Sequence, residues 1–351
     1  MKTIKIGSRI ISEKSPVFIV GEAGINHNGN LRLAKKLIDV AGEAGVDAVK
    51  FQTFNPDTLV TEGAAKADYQ AKNEKRADES QYSMLKRLML PRAWHNQLKQ
   101  YAEKKGLIFL STPFSLDDAI FLRKLGVKAF KAGSTDTENL PYLAEIARWN
   151  LPIILSTGMS AMLEIKEAVR TIQKAGNNKL IILHCTTNYP TPYEEANLRA
   201  ISTLKKELKN VPIGFSEHTV GIEVAIASVA LGVRVIEKHF TLDRNLPGPD
   251  HLASLEPDEL KRLVSSVRHV ESAMGSGKKV PFASEKRIAE IARKSLVAAR
   301  FILAGTQLNA EDIATKRPGT GIKPKFLTKA IGKKAKRDIE KDQLLDWGIL
   351  T

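Results

Sequence analysis

Two lysines and three hydroxyl residues stand at the ends of short apolar segments of this sequence. They are Lys50, Lys131, Thr112, Ser134 and Ser156. Two lysines buried at one site are unfavourable unless an anion meets them, because each ammonium group loses its hydration. With hydroxyl groups beside them, the expected ligand is a phosphate, a carboxylate or one molecule that carries both. Phosphoenolpyruvate is such a molecule.

Histidines and acidic residues follow other apolar segments in the same way. His218 and His239 follow neighbouring segments, and Glu22 and Glu237 stand at comparable positions. Two imidazoles with a nearby carboxylate are too few ligands for a closed structural zinc site, but they suit an open catalytic site completed by water or substrate. We therefore expect a divalent metal ion, with Mn2+ favoured and Mg2+ or Co2+ as alternatives.

The segments that carry these residues alternate with helix-forming segments. The apolar runs cover residues 16–21, 48–51, 108–110, 129–132, 153–155, 180–183, 213–215 and 233–236. Short runs separated by amphipathic stretches predict β/α units around a parallel sheet, and hence an α/β fold, a (β/α)8 TIM barrel. In such a barrel the active site forms at the carboxyl ends of the strands, where these polar residues stand.

Local signals support the same fold. Helices are predicted over residues 31–44, 116–125, 140–150 and 164–174. Asn30 is the expected N-cap of the first helix, and Gly45 and Gly126 are expected to end two of them. Gly7-Ser8, between two alternating runs, predicts a hairpin near the start of the chain.

Each candidate site residue also has a structural interpretation. A single inward lysine or histidine is commonly a structural hydrogen-bonding group, and Thr112 and Ser156 could cap the helices that follow them. Cys185 is expected to be a small core residue rather than a nucleophile. The co-location of the charged residues favours a functional site, because residues two apart, such as Lys50 and Gln52, point to the same side of a strand.

The composition is that of an ordinary soluble globular protein, with 351 residues of which 43% are hydrophobic and 26% charged. No apolar run approaches the roughly 18 residues of a membrane span, and a signal-peptide pattern is lacking, so we expect no membrane partner. A single cysteine fits a reducing compartment, which favours the cytoplasm. The formal charge of +15 is not accompanied by a zinc-finger, RNA-binding or helix-turn-helix pattern, so we expect no nucleic-acid partner.

The barrel pattern ends near Met274, and a Gly-, Ser- and Lys-rich stretch follows. We predict a barrel domain over residues 1–274, a linker over 275–290 and a small β-rich domain over 291–351. The last contains a weak internal repeat. Its members are Arg300, Ile302, Leu308 and Ile313, which recur with the same spacing as Arg337, Ile339, Leu345 and Leu350.

Several motifs resemble those of the sialic acid synthase family. They are EAGINHNG at 22–29, VKFQT at 49–53, LSTGM at 155–159, HCTTNYPTP at 184–192, EKHFT at 237–241 and PGPDH at 247–251. At the C-terminal end, KRPG at 316–319 with GK at 332–333 resembles the antifreeze-like (SAF) domain of that family. The resemblance covers nearly the whole chain, and the number and order of its motifs make it specific.

The resemblance implies a transferase that condenses phosphoenolpyruvate with N-acetylmannosamine, in a metal-dependent reaction that yields N-acetylneuraminate and phosphate. The implied catalytic residues are Glu22, Lys50, Lys131 and Glu237. The implied ligands of phosphoenolpyruvate are Lys50, Thr112, Lys131, Ser134 and Ser156, and those of the metal are His218 and His239. The sugar side is assigned to Gln52, Thr187, Tyr189, Asp250 and Arg317. Family members form homodimers in which the antifreeze-like domain covers the active site of the partner, and Arg317 matches the residue that reaches across.

Two positions depart from the family pattern, and the second of them bears on the acceptor sugar. Glu217 stands where Asp is commoner, and Thr187-Asn188 replaces an Asn followed by an apolar residue. Residues 66–70 and 78–81 look more like N-acetylneuraminate and legionaminic acid synthases than pseudaminic acid synthases. N-acetylmannosamine is therefore the first expected acceptor, the 2,4-diacetamido-trideoxymannose of legionaminic acid synthases the second, and the pseudaminic acid precursor the third.

Two other functions compete with this interpretation. Octulosonate and heptulosonate synthases also condense phosphoenolpyruvate with a sugar, but they normally lack an antifreeze-like domain. A non-catalytic carbohydrate-binding protein with an inactive barrel would be free to lose its charged interior residues, and those residues are intact here.

Overall fold

The computed structural model describes residues 2–74 and 79–351, and the chain divides into two compact units, Met1–Gly275 and Ser276–Thr351. Asp78, one of the residues compared above for acceptor choice, lies outside the described residues. In the part of the chain that is described, no helix is long and apolar enough to cross a lipid bilayer.

A short antiparallel hairpin precedes the barrel. Its strands are β1 (Ile4–Ile6) and β2 (Arg9–Ile11), and Gly7 in the turn has a positive φ of 56°. Isoleucines from both strands are buried in one cluster with Phe18 and Ala48, which lie at the beginning of barrel strands. The predicted hairpin therefore exists, and it covers the end of the barrel opposite the carboxyl ends of the strands.

A parallel sheet of eight strands, counted within the described ranges, forms the centre of the first unit. Its strands are β3 (Phe18–Gly24), β4 (Ala48–Thr53), β5 (Ile108–Pro113), β6 (Phe130–Ala132), β7 (Ile153–Ser156), β8 (Leu180–Cys185), β9 (Ile213–Glu217) and β10 (Val235–His239). Their hydrogen-bonded order is β5-β4-β3-β10-β9-β8-β7-β6, and the end strands β5 and β6 contact each other. The sheet is a nearly closed barrel, which confirms the predicted TIM-like fold.

Helices surround this sheet. Those of the first unit are α1 (Leu31–Ala44), α2 (Pro56–Leu59), α3 (Asp68–Glu74), α4 (Gln81–Leu88), α5 (Arg92–Lys104), α6 (Leu116–Leu125), α7 (Leu140–Arg148), α8 (Met162–Lys174), α9 (Arg199–Glu207), α10 (Glu223–Ala230) and α11 (Pro257–Ala273). Asn30 caps α1, and Gly45 and Gly126 end α1 and α6 in the left-handed conformation, as predicted. The apolar faces of the helices pack with the strands in one continuous core.

Seven of the eight barrel strands extend beyond their predicted apolar runs, and β3 and β10 are two of them. β3 continues to Gly24 and β10 to His239, although the runs end at residues 21 and 236. Both extensions contain charged residues that are nevertheless buried, Glu22 in β3 and Lys238 in β10. A buried charge is tolerated when it is paired, and each of these side chains has a partner of opposite charge.

Between β4 and α5 the chain makes a long excursion, residues 54–91, that carries α2, α3 and α4. Phe54, Met84 and Leu88 are buried together with Ile25 in a small core of their own. This core anchors α4 beside the loop that follows β3. None of the residues in that small core belongs to α3.

The second unit has its own elements and core. Its elements are α12 (Ala283–Ala292), β11 (Ser295–Ala298), β12 (Ile313–Lys316) and α13 (Leu327–Ala330). α12 begins within the segment predicted as a linker, so that segment is helical in part. Ile302 and Ile339, equivalent positions of the predicted repeat, exchange two backbone hydrogen bonds of 3.0 and 2.9 Å. Both are buried with Leu308 and Leu345.

Candidate active site

Lys50 lies inside the barrel on β4, and three side chains surround its ammonium group. The Nζ atom is 2.7 Å from Glu22 Oε2, 3.0 Å from Thr112 Oγ1 and 3.8 Å from Glu237 Oε1. All of these side chains are buried. Glu22 also accepts a hydrogen bond of 3.5 Å from Gln52 Nε2. Lys50 and Gln52, two residues apart on one strand, therefore reach the same carboxylate.

Lys131 on β6 is the second buried cation. Its Nζ atom donates to Ser156 Oγ at 2.7 Å and lies 3.6 Å from Glu237 Oε1. Glu237 Oε1, which also lies near Lys50, accepts a further hydrogen bond of 3.0 Å from Ser216 Oγ. Two lysines and two glutamates thus form one buried network.

The pKa values of the two carboxyl groups of this network are shifted in opposite directions. Burial raises the pKa of Glu22 to about 7, although Lys50 opposes the shift. Burial also disfavours the ionised form of Glu237, but Lys131 and Lys50 outweigh it and lower the pKa of that carboxyl. Carboxyl groups whose pKa values are pushed apart can serve as one proton-transferring group and one permanently ionised group.

His218, directly after β9, and His239, at the end of β10, face each other. Their ring centroids are 5.4 Å apart. His218 Nδ1 lies 2.8 Å from the carbonyl oxygen of Thr186, which can only accept, so Nδ1 carries the proton and Nε2 keeps a lone pair. Burial lowers the pKa of His218 to about 4 and that of His239 well below its usual value. Both rings are therefore neutral at pH 7.

These histidines fit a divalent cation in an open site. Metal-binding imidazoles must be neutral, and His239 Nδ1 is buried without a hydrogen-bond partner among the described residues. Asp250 Oδ2 lies 3.9 Å from that nitrogen. The described ranges hold no group of three or more His, Cys, Asp or Glu side chains that could enclose an ion. A bound ion would complete its coordination with water or substrate.

Tyr189, in the loop after β8, lies against both histidines. Its ring centroid is 4.1 Å from that of His218 and 5.5 Å from that of His239. The ring of Tyr69, from α3, contacts Tyr189 at a centroid distance of 5.0 Å. The histidine end of the site is therefore bordered by aromatic rings, which suit the apolar face of a sugar or its acyl group.

Three predicted residues meet at Gly158, which is the second residue after the end of β7. The Gly158 N–H donates to Ser134 Oγ at 2.9 Å. A Cβ atom at this position would lie 2.1 Å from Thr187 Oγ1 and 3.3 Å from Cys185 Sγ, so a larger residue does not fit. Burial raises the pKa of the Cys185 thiol, which keeps it protonated and agrees with the core role predicted for it.

The structure brings most of the predicted site residues into this one region. In the first unit these are Glu22, Lys50, Gln52, Thr112, Lys131, Ser134, Ser156, Thr187, Tyr189, His218, Glu237, His239 and Asp250. Arg317 belongs to the second unit, where it lies on an exposed bend before Pro318.

The sequence patterns give no role to two polar residues of the site. Ser216 donates to Glu237, and its position two residues before His218 was a signal that could have identified it. Asp136 is buried in the short turn after β6, and burial raises its pKa to about 6. Its position after the strand end, outside any periodic pattern, gave no signal.

Comparison with known proteins gives consistent matches. The NeuB family matches residues 37–279 and the SAF domain matches residues 293–350. The N,N'-diacetyllegionaminic acid synthase of Campylobacter jejuni is 46% identical over 93% of this chain and 98% of its own. The enzyme of the same name from Legionella pneumophila is 44% identical over 94% of this chain and 93% of its own.

One solved structure extends these matches to the fold. The N-acetylneuraminic acid (sialic acid) synthetase of Leptospira borgpetersenii, crystallised in complex with citrate, is 36% identical to this chain. It superposes with a TM-score of 0.72 over 82% of this chain and 95% of its own.

Proposed function

The chain belongs to the NeuB family of sialic acid-type synthases, and we propose that it condenses phosphoenolpyruvate with the open-chain aldehyde of an N-acylated hexosamine. The products are a nine-carbon 2-keto sugar acid and phosphate. The family match and the relatives confirm the resemblance that the motifs indicated. The observation that carries the proposed reaction is the buried network of two lysines and two glutamates in the same barrel as the facing histidines.

Phosphoenolpyruvate is assigned to the lysine network. Lys50 with Thr112, and Lys131 with Ser156, offer two ammonium groups and two hydroxyl groups to one carboxylate and one phosphate. Ser134, held by the Gly158 N–H, is assigned to the same substrate. Charge-assisted hydrogen bonds of this kind are about twice as strong as neutral ones, which supports the assignment of a substrate with several negative charges to this end.

In the proposed reaction, C3 of phosphoenolpyruvate attacks the aldehyde carbon, and the aldehyde oxygen takes up a proton to become a hydroxyl group. Water then adds at C2, where positive charge develops. Glu237, kept ionised by the two lysines, is suited to stabilise that positive charge. Glu22, whose pKa lies near neutrality, is suited to accept a proton from the attacking water. The bond between C2 and the phosphate-bearing oxygen then breaks, and the new C2 hydroxyl group loses its proton, so that phosphate leaves and a keto group remains.

A divalent metal ion, with Mn2+ as the first choice, is assigned to His218 and His239. When bound there it would polarise the aldehyde oxygen of the acceptor. The neutral rings and the unpartnered Nδ1 atom of His239 support this assignment. The acceptor side of the site is assigned to Gln52, Thr187, Tyr189 and Asp250.

For the acceptor we place the 2,4-diacetamido-trideoxymannose ahead of N-acetylmannosamine. Two relatives named as N,N'-diacetyllegionaminic acid synthases are 46% and 44% identical to this chain, whereas the sialic acid synthetase is 36% identical. This reverses the order of preference that the motifs suggested.

A homodimer is proposed as the active form, with Arg317 of one protomer reaching the acceptor in the barrel of its partner. The support is the match of Arg317 to the family motif and its exposure on a bend. Mixing Arg317→Ala protein with His239→Ala protein tests this, because only a mixed dimer contains one site with both residues intact. Exchange of subunits would restore roughly a quarter of wild-type activity, while a role of Arg317 within its own chain would give no recovery.

Phosphate release from phosphoenolpyruvate is the measurement that tests the proposed reaction. The assay contains Mn2+ and, in parallel, each of the two acceptor sugars. We expect release with one sugar only, loss of release with a chelator, and loss in His239→Ala and Lys50→Met. Ser265→Ala, an exposed change on α11, is the control that keeps full activity.

The outcomes separate the reaction from the choice of sugar. Turnover of the diacetamido sugar alone supports the legionaminic acid assignment, and turnover of N-acetylmannosamine alone restores the order inferred from the motifs. No release with either sugar, in protein shown to be folded by circular dichroism and supplied with metal, would refute the proposed reaction for these acceptors.

A further inference from the structure

The short helix α3 joins two loops of the barrel mouth through one side chain. Asn73 Nδ2 donates a hydrogen bond of 2.7 Å to the carbonyl oxygen of Pro249 and one of 3.3 Å to the carbonyl oxygen of Tyr189. Pro249 is in the loop after β10 and Tyr189 is in the loop after β8. Both contacts are to the backbone, so they act on the course of the loops themselves.

Tyr69 stands one helical turn before Asn73 and so lies on the same face of α3. Its ring contacts that of Tyr189 at 5.0 Å between centroids and 35° between planes. Tyr189 in turn contacts His218 at 4.1 Å. A continuous row of rings therefore runs from α3 to the histidines.

The same face of α3 is close to Asp250. Burial first, and then the negative charge of Asp250, raise the pKa of the Tyr69 hydroxyl. Asp250 follows Pro249 directly, and Asn73 binds the Pro249 carbonyl. The two residues of α3 therefore meet both loops that carry assigned sugar-side residues.

Outside this face, α3 contacts α4 through Gln70, whose Oε1 atom accepts a hydrogen bond of 3.4 Å from Gln81 Nε2. α3 contributes nothing to the small apolar core around Phe54 and Met84. The chain on either side of it is joined by an ion pair between Lys66 Nζ and Glu79 Oε2 at 3.0 Å. The face that carries Tyr69 and Asn73 is thus the one through which α3 docks on the barrel mouth.

We infer that Tyr69 and Asn73 are positioning residues for the acceptor sugar. Asn73 holds the Tyr189 and Pro249-Asp250 backbones at a fixed separation, and Tyr69 holds the Tyr189 ring against His218. Together they set the width of the acceptor subsite and so take part in the choice between a hydroxylated and a diacylated sugar. The identity of that ligand rests on the proposed function, but the positioning of the loops does not.

Steady-state kinetics test the inference with Asn73→Ala, Tyr69→Ala and Tyr69→Phe. Loss of one hydrogen bond is worth about tenfold in binding, so we expect Asn73→Ala to raise the acceptor KM about tenfold. Tyr69→Ala has a similar effect, Tyr69→Phe keeps the ring and stays close to wild type, and the KM for phosphoenolpyruvate is unchanged throughout. Lys72→Ala, on the exposed side of the same helix, is the matched control.

Hydrogen–deuterium exchange provides a readout that needs no substrate. Asn73→Ala is expected to speed exchange in residues 186–192 and 247–252, and Lys72→Ala to leave both segments as in wild type. If the protein turns over neither acceptor, the proposed function fails, and the hydrogen–deuterium exchange of the two loops is then the test of whether Asn73 positions them. Exchange in residues 186–192 and 247–252 that Asn73→Ala leaves unchanged would overturn the inference. An equal rise in the KM values of both substrates would also overturn it, and so would faster exchange without a rise in the acceptor KM.

Discussion

Glu217 and Lys238 form an ion pair in which both side chains are 0% exposed. They are register partners on β9 and β10, and each directly precedes one of the two histidines of the site. The Thr219 N–H donates to Glu217, and Lys238 donates to the Thr219 carbonyl. The pair thus ties together the strand ends that present His218 and His239. It also explains why Glu217, a departure from the family pattern, is well accommodated.

Breaking this pair is predicted to destabilise the barrel. Lys238→Met leaves Glu217 as an unpaired buried charge, which costs about 3–5 kcal/mol. Glu217→Gln/Lys238→Met removes both charges and is expected to recover most of that loss. Denaturant unfolding followed by circular dichroism measures both variants. A single variant as stable as the wild type would show that the pair contributes nothing.

His95 is predicted to make stability depend on pH. Burial lowers its pKa from 6.5 to about 4, and the Thr53 hydroxyl lies 2.8 Å from its Nε2 atom. Because the pKa is lower in the folded state, the unfolded chain binds more protons below pH 6.5. The stabilising contribution of neutral His95 is therefore present above about pH 6.5 and is lost, at about 1.4 kcal/mol per pH unit, as pH falls towards 4.

The variant His95→Gln isolates this contribution, because it removes the titrating ring. The variant is expected to be less stable than the wild type at about pH 7.5, and the gap is expected to narrow by about 2 kcal/mol at pH 5. Unfolding free energies of the two proteins at both pH values provide the check. A gap that does not change with pH would contradict the prediction.

Loss of the hydroxyl groups that contact the lysines is predicted to weaken the binding of phosphoenolpyruvate and to leave the binding of the acceptor sugar unchanged. Ser156→Ala and Thr112→Val each remove a hydrogen bond to a charged group, worth about 1.5–3 kcal/mol. The KM for phosphoenolpyruvate is expected to rise roughly tenfold to a hundredfold. Initial rates with each substrate varied in turn test this, and an acceptor KM that rises by as much would argue against the assignment.

Gly158→Ala is predicted to disturb the site by steric contact alone. The added Cβ atom would lie 2.1 Å from Thr187 Oγ1, so Thr187 and the neighbouring Ser134 must move. Overpacking of this kind costs about 1–3 kcal/mol. Gly63→Ala, with nothing within 4 Å of the added atom, is the control. Adding Thr187→Ala to Gly158→Ala is expected to restore part of the lost stability. Additive changes in the free energy of unfolding for the two substitutions would speak against direct contact between the two residues.

Elements with end signals in their own sequence were predicted to the residue. α1 and α6 begin and end at the predicted positions, because a polar side chain caps the start of each and a glycine in the left-handed conformation ends it. The apolar run of β10 ends at residue 236 because Glu237 and Lys238 are charged. The strand continues because Lys238 pairs with Glu217, a partner that a local pattern does not reveal.

The residues of the site that stand at strand ends could be predicted from the sequence, but those in the long excursion could not. Lys50, Lys131 and the two histidines stand at strand ends, so strand periodicity and the barrel fold bring them to one end together. Asn73 lies in a short helix without a strong periodic signal, and its partner Pro249 is 176 residues away. A contact of that kind depends on the path of a long excursion over the barrel, which the sequence of the excursion does not encode by itself.

The two backbone hydrogen bonds between Ile302 and Ile339 have a consequence for the way in which the second unit folds. Residues at equivalent places of a repeat that pair with each other reproduce the geometry of a two-fold symmetric dimer within one chain. Each half then serves as the scaffold on which the other folds, so the two halves are expected to form cooperatively and to be lost together.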